Sequence, residues 1–470
     1  MKNFPYRYLR IGVAVVVFAA SVAAFAFGWE PAAKLMHLQF APAVMRFAAG
    51  VSWGAAVAVV IIALVTLRCG RFYCACFCPF GILQDLFGWL SHRKCTPLPD
   101  LAKTRYVIAA FAWGMLAAGW TLPLLLLDPY SNFGRIFASG LTVGGLVPLV
   151  VIAALAVWKK RFFCVNICPV GTVLGLLARN TEVRLKFNSS CVKCGACVKN
   201  CPAGCIDLAA KAVDNERCVR CLNCVSVCKF HGIGFTEPPF RRNRNEALFN
   251  LMFFGEKPPK PPPPEPPFDG GRRSALVEIG ILLAGAAAGF ALARGRAVVR
   301  MSAAFDLLER KPGILPPGAL NIERFADKCT ACQLCVANCP QKIIVPAPGG
   351  DGPVALDLSR GACDYGCNRC SQLCPTGALT PLSLARKRQL KIAEAQFDPK
   401  KCLVFQEDAK CGKCAEVCPT GAITLRKSGA PRLKVALCIG CGACQQACPV
   451  PGKAMSVRAI AKQVFPNGNG

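Results

Sequence analysis

The sequence predicts two kinds of structure in one chain: an integral membrane all-α helical bundle, followed by a string of small α+β units. Three observations predict it. Four uncharged apolar runs, at about 11–28, 50–67, 106–127 and 140–158, each have the length a helix needs to cross the roughly 30 Å hydrocarbon layer. Most of the 32 cysteines fall into quartets of tight, repeated spacing. A proline-rich arm, "EKPPKPPPPEPPFDGG" at 256–271, parts the two halves and reads as a polyproline II spacer.

The helical unit comes first. At 470 residues, 54% hydrophobic and 17% charged, the chain is too apolar for a purely soluble protein. Orientation follows from Lys and Arg in the short loops. Lys2, Arg7 and Arg10 precede the first run; Arg68, Arg71, Arg93, Lys94, Lys103 and Arg105 lie between the second and third; Lys159, Lys160 and Arg161 follow the fourth. The other two loops hold only Lys34, Arg46 and Arg135, so both ends of this unit are expected in the cytoplasm. The formal charge of +30 does not make a nucleic-acid binder. Much of it is orientation charge, and six clusters at about −2 each would bring it to about +18, which suits anionic lipid and acidic redox partners.

A single motif occurs twice within the helical unit. "RFYCACFCPFG" and "RFFCVNICPVG" align at an offset of 90, Arg71 with Arg161, Cys74 with Cys164, Cys78 with Cys168, Pro79 with Pro169 and Gly81 with Gly171. Each copy closes a pair of runs, so the unit reads as a duplicated two-helix repeat about an axis along the membrane normal. Symmetry then brings Cys74, Cys78, Cys164 and Cys168 toward one axis, as a seventh metal centre or a redox dithiol. The plainer alternative is helical i, i+4 spacing that places two thiols on one packed face. Cys69, Cys76 and Cys95 are left over, the first two close enough to substitute as ligands.

The quartets come next. Cys191, Cys194, Cys197 and Cys201 stand in "CVKCGACVKNCP", and Cys218, Cys221, Cys224 and Cys228 in "CVRCLNCVSVCK". Beyond the arm come Cys329, Cys332, Cys335 and Cys339; Cys363, Cys367, Cys370 and Cys374; Cys402, Cys411, Cys414 and Cys418; and Cys438, Cys441, Cys444 and Cys448. Three thiolates from one loop cap three corners of a [4Fe-4S] cubane, and the fourth, carried off by the Pro turn, reaches the neighbouring cluster. Zinc ribbons want two cysteines per loop, and these loops offer three plus one. Six [4Fe-4S] clusters and the short strand–turn–helix repeat of bacterial ferredoxins follow as expectations. Cys228 would complete the first set and Cys201 the second; among the last four quartets, adjacent and nested exchange are both open. Cys205 reads as a packing residue. Cubanes with four thiolate corners offer no open coordination site, and the chain shows no haem, flavin or molybdenum motif, so terminal chemistry is expected on another protein.

After the arm, "GRRSALVEIGILLAGAAAGFALARG" opens on Arg272 and Arg273, carries Glu278 inside an Ala- and Gly-rich run, and ends on a candidate Ala-x-Ala site, Ala291 and Ala293. It reads as an embedded twin-arginine export signal or a fifth span, with residues 295–470 outside, the alternative being a surface-lying helix with everything cytoplasmic. The domain expectation is therefore 1–180 for the four-helix membrane domain, 181–240 for a two-cluster ferredoxin, 241–271 for the linker, 272–294 for the signal or fifth helix, and 295–470 for a four-cluster ferredoxin.

With these residues in hand, 1–240 resembles the NapH family of four-helix membrane ferredoxins through "CACFCPFG", "CVNICPVG" and the two-cluster unit. Residues 272–470 resemble the NapG family of exported four-cluster partners through the twin arginines, "LPPGALNIERFADKCTACQLCVANCP" and "CLVFQEDAKCGKCAEVCP". Two features depart from that pattern: the two are fused here, and "CDYGCNRCSQLCP" is spaced more tightly. The resemblance implies a quinol dehydrogenase module in the bacterial inner membrane, with 181–271 cytoplasmic and 295–470 periplasmic. Its partners would be the quinol pool, the lipid bilayer, and a periplasmic reductase or c-type cytochrome; no nucleic acid is expected. Asp85, His92 and Asp128 are candidates at a quinol site, with Glu30 and His37 also near run ends. The competing reading is an assembly or maturation factor that supplies electrons to metal centres of a client oxidoreductase.

Overall fold

The computed structural model of the chain describes residues 6–48, 53–91, 95, 98, 101–117, 126–138, 143–235, 280, 284, 287, 313–346, 354–406 and 410–465. His92, the proline arm, the twin arginines, Glu278 and the Ala291/Ala293 site lie outside the described residues.

The N-terminal unit runs α1 (Tyr6–Ala26), α2 (Glu30–Leu35), α3 (Phe40–Ala48), α4 (Trp53–Cys69), α5 (Phe72–Cys76), α6 (Pro79–Leu90), α7 (Ala102–Ala117), α8 (Pro129–Ala138), α9 (Val143–Lys159), α10 (Phe162–Asn166) and α11 (Pro169–Ala178). Helices α1, α4, α7 and α9 fall on the four apolar runs. Among the described residues only Arg7–Ala26 is both long and apolar enough to cross a membrane by itself. Helices α4 and α9 are apolar but have 17 residues each.

The doubled motif takes the same shape in both copies. Arg71 and Arg161 precede five-residue helices, α5 and α10, and Cys78 and Cys168 are the N-caps of α6 and α11, each of which begins on Pro. Proline suits a first helical position because its fixed φ is helical and its missing N–H would have no partner there. The chain therefore breaks between the two cysteines of each pair, and helical i, i+4 spacing does not describe them. Gly81 and Gly171 pass close to the Cys74 and Cys164 carbonyls, where a Cβ would stand 2.7 and 2.5 Å from the oxygen. The copies also pack on each other: Phe80 of the first meets Phe163 of the second edge to face, with ring centroids 5.3 Å apart.

The first small unit pairs β1 (Leu185–Phe187) with β4 (Ile233–Phe235), and β2 (Ile206–Asp207) with β3 (Ala212–Val213), all antiparallel. The second half holds β5 (Ile344–Val345) on β6 (Ala355–Leu356) and β8 (Ile423–Leu425) on β9 (Pro431–Leu433). Its longest pair joins β7 (Lys391–Phe397) to β10 (Met455–Val464) and so ties the middle of this half to its end.

The two small-domain regions seat on opposite ends of α1. At its start, Arg7 Nη1 donates to Ser226 Oγ of the first unit at 3.2 Å. At its end, Asn338 Nδ2 of the second half donates to the Ala24 carbonyl at 3.2 Å. Seventeen residues of helix separate these contacts, about 26 Å at 1.5 Å per residue.

Candidate metal centres

The first unit gathers its cysteines into two enclosed cavities. One is lined by Cys191, Cys194, Cys197 and Cys228, with Phe187, Leu208 and Phe230 around them. The other is lined by Cys201, Cys218, Cys221 and Cys224, and Cys205 joins them. The Cys205 sulfur stands 3.5 Å from that of Cys201, so this residue packs against the cavity itself. Each cavity takes three thiols from one loop and the fourth from the other.

The second half resolves the open choice of exchange. Cys332 and Cys335 face Cys329 and Cys374, while Cys370 faces Cys363, Cys367 and Cys339. Cys418 lines a cavity with Cys438, Cys441 and Cys444. Cys414 faces Cys411 and Cys402 in a core shared with Cys448. Exchange is thus adjacent, first quartet with second and third with fourth. The sets also touch in order: the Cys363 amide donates to the Cys441 carbonyl at 2.8 Å, which links the second set to the set containing Cys441.

The donor sets fit iron–sulfur clusters. They are all sulfur, and three loop cysteines plus one distant cysteine surround a closed space in each cavity that the structure delimits. Among the described residues no three His, Cys, Asp or Glu side chains gather closely enough to share a single ion. Thiolates on a cubane stand further apart than those around one zinc.

Between the two regions lies the doubled motif. Cys74, Cys78, Cys164 and Cys168 are all buried and lie near one another: Cys168 faces the other three, Cys78 faces Cys74 and Cys164, and Cys164 faces Cys74. Cys76 turns instead toward Arg10, Arg161 and Asp85, and Cys69 is exposed, so neither joins them. Gln84 Nε2 donates to Cys164 Sγ at 3.0 Å, and the Gly171 amide donates to Cys168 Sγ at 3.2 Å.

Sequence reasoning counted Arg71, Arg161 and Arg105 among the loop charges that orient the unit; the structure finds all three buried. Arg71 is 1% and Arg161 0% exposed. Each reaches across to the other copy: Arg71 Nη2 donates to the Cys164 carbonyl at 2.7 Å, and Arg161 Nη1 to the Cys74 carbonyl at 2.8 Å. Arg71 Nη1 also donates to the Glu216 carbonyl of the first unit at 3.1 Å. Buried Glu216 in turn holds Arg105 and Arg179, each at 2.8 Å, together with the Tyr106 hydroxyl. The signal that could have found this is the arginine repeated at offset 90, since mere orientation charge has no need of register.

The candidate quinol residues part company. Asp85 accepts from Arg161 Nη2 at 2.6 Å and lies near Arg10. It borders a cleft of about 800 Å³ between α1, α6 and the first unit, with Arg7, Arg10, Gln84, Trp89 and Cys95 also in its walls. Asp128 is buried at the start of α8, where it accepts from the Ser131 amide and hydroxyl at 2.8 Å. Glu30 and His37 are taken up in docking the second half: Glu30 pairs with Arg369 at 3.3 Å, and His37 Nε2 lies 3.1 Å from the Leu373 carbonyl.

Known proteins agree with this cysteine chemistry. A family model described as a 4Fe-4S binding domain matches residues 51–96 and 141–188, and another of that description matches 188–204 and 215–231. A 4Fe-4S dicluster domain matches 328–378, 362–422 and 409–452. The putative electron transport protein YccM of Escherichia coli is 25% identical over 217 residues, 43% of this chain and 60% of that protein. The ferredoxin-type protein NapH of Escherichia coli is 28% identical over 185 residues, 36% of this chain and 63% of that protein. The chain thus spans less than two thirds of either. The uncharacterized protein MJ0749 of Methanocaldococcus jannaschii is 30% identical over 217 residues, 43% of this chain and 78% of that protein. No solved structure matches the chain. Cysteine sets, domain matches and relatives together describe an iron–sulfur electron-transfer protein with several [4Fe-4S] clusters, and the chain belongs to the family of the archaeal MJ0749 protein.

Proposed function

We propose that the chain takes electrons from a membrane quinol at the inner end of its helical unit and delivers them to a reductase or c-type cytochrome at the outer end. One observation carries the reading: the two cysteine-rich regions occupy opposite ends of α1, with the buried quartet of the doubled motif between them. A maturation factor would need no such span.

In this reading the helical unit crosses the membrane, residues 181–240 face the cytoplasm and 313–465 face the periplasm. Iron–sulfur clusters, when bound, supply one-electron transfer between fixed stations. The ligands would be Cys191, Cys194, Cys197 and Cys228; Cys218, Cys221, Cys224 and Cys201; Cys329, Cys332, Cys335 and Cys374; Cys363, Cys367, Cys370 and Cys339; Cys438, Cys441, Cys444 and Cys418; and Cys402, Cys411, Cys414 and Cys448.

A quinol releases two electrons and two protons, so its site needs an apolar wall, polar anchors and a short route to the wire. The cleft at Asp85 offers these. Its volume is in the range of small-molecule sites. Ile11, Val15, Ile82 and Leu86 supply apolar wall, and Arg10 and Asp85 supply a donor and an acceptor. Gln84 lines the cleft and also hydrogen-bonds Cys164, so one side chain spans from the cleft to the quartet.

The test is quinol titration of the intact protein in detergent, followed by cluster spectroscopy. Reduction of the bound clusters by quinol, and reoxidation by an added c-type cytochrome, supports the conduit. Clusters that respond to dithionite but not to any quinol would sink it.

A further inference from the structure

We infer that Cys74, Cys78, Cys164 and Cys168 together hold one [4Fe-4S] cluster, shared between the two copies of the repeat, with Arg71 and Arg161 as its buried counter-charges. This rests on the iron–sulfur reading of the chain and is independent of the quinol reading.

Neither copy can build such a centre alone. Each offers one cysteine from a five-residue helix and one from the N-cap of the next; Cys74, Cys78 and Cys168 lie in the unit's apolar core, and buried Cys164 faces Cys74 beside them. This again is an all-sulfur set of four, with ligands that are not gathered at the spacing of a single ion. It differs from the ferredoxin sets in its source: two plus two by symmetry, where those are three plus one by sequence.

Charge is the second, independent observation. Arg161 is matched by Asp85, but Arg71 has no carboxylate among the described residues. Its Nη atoms rest on two carbonyls, those of Cys164 and Glu216, and its Nε is buried without a partner. A guanidinium at 1% exposure is costly unless an anion lies near. Four thiolates around a cubane carry about −2 when it is oxidised, and they lie directly beside this cation. Arg71 faces the Cys218 thiol of the first unit as well as Cys164, so it stands between two sulfur sets, and a cluster on either would supply anionic charge beside it.

The sulfurs are also dressed as cluster ligands are. Gln84 and the Gly171 amide each donate to a cysteine sulfur, the contacts by which proteins tune such centres. Gly171 and Gly81 leave room for this close backbone approach.

The experiment is iron and acid-labile sulfide per chain on the full-length protein, purified without oxygen in detergent. Wild type should hold about 28 iron atoms, seven clusters of four. The Cys74→Ser/Cys164→Ser variant should hold about 24 and keep the spectra of the ferredoxin clusters, while Cys69→Ser stays at wild type. A wild-type content of about 24 that the double variant leaves unchanged overturns the proposal, and so does a loss of two. Should the double variant fail to accumulate, the wild-type count decides, about 28 for the shared cluster and about 24 against it. Quinol is not used, so failure here leaves the conduit reading to its own test.

Discussion

The two cysteine-rich regions are built alike but attached differently. The first is fastened by charge: Glu216 is 6% exposed and gathers Arg105, Arg179 and Tyr106, while Arg71 and Arg217 donate to carbonyls across the joint. The second is fastened mainly by shape, with a partly exposed ion pair, Glu30 to Arg369, at its rim. Cys332, Leu334 and Leu373 belong to the same apolar core as Phe25 and Tyr130, and Arg46 and His37 contact only carbonyls of the second half, those of Cys374 and Leu373. The difference follows from chain connection. The first unit continues directly from α11, so a buried ion network can form with little search. The second arrives after a long intervening segment, and a broad apolar seat tolerates approach from many directions before backbone contacts fix it.

Blocking the shaped joint should have the largest effect. Gly134 has no room for a side chain, because a Cβ there would run into the Cys332 carbonyl and the Phe25 ring. Gly134→Leu should therefore unseat the second half. In a quinol titration its clusters should lose nearly all quinol-dependent reduction, while those of the first unit keep theirs. Equal reduction of both would mean that electrons reach the outer clusters by another road.

Next in size is the charged joint. Glu216→Ala leaves two guanidinia and a phenol facing each other in a buried site, and breaking such a network from one side costs about 3–5 kcal/mol. Denaturation of the variant should show a loss of that order, with β1 and β4 exchanging their amides faster. Asp85→Asn is smaller, roughly 1–3 kcal/mol, because Asp85 keeps some contact with solvent. Burial would raise this carboxyl, but the Arg161 guanidinium, with Arg10, outweighs that and holds it below its ordinary value. Its stabilisation is therefore complete above about pH 4 and lost as pH falls through the folded value. The Asn variant should show a shallower acid limb in a stability–pH curve.

What the sequence conveys depends on whether a contact is written locally. A loop with three cysteines at short spacing must point them at one centre, and a Pro after the fourth turns that residue away, so such cavities can be read from spacing. Adjacent or nested exchange could not be chosen, because it depends on how β7 and β10 fold the second half back on itself. The doubled motif was legible as a repeat through register. Its geometry was not, since a Cys-Pro helix start and an unbroken helix share the same spacing until the break at Phe77 is seen. Arg71 and Arg161 were counted only as orientation charge, because loop position says nothing of a partner, and only packing shows that each crosses to the other copy. Glu30 and His37 were read only as titratable groups near run ends; nothing local to them announces a partner more than 300 residues away.

That last pair gives the smallest effect. Burial lowers the His37 imidazole from its usual value near 6.5 to about 4, with the Arg46 charge acting in the same direction. Seated against the second half, His37 is neutral at pH 7; in an unseated or unfolded chain it takes up a proton near 6.5. The form with the higher proton affinity is favoured as pH falls, so seating should weaken progressively from about pH 6.5 down to about 4 and then level off. His37→Gln removes the titration while keeping a donor for the Leu373 carbonyl. Fluorescence energy transfer between labels on the two halves should fall with acid from about pH 6.5 in the wild type and stay flat in the variant down to about pH 5, below which the Glu30–Arg369 pair of the same joint begins to lose its charge.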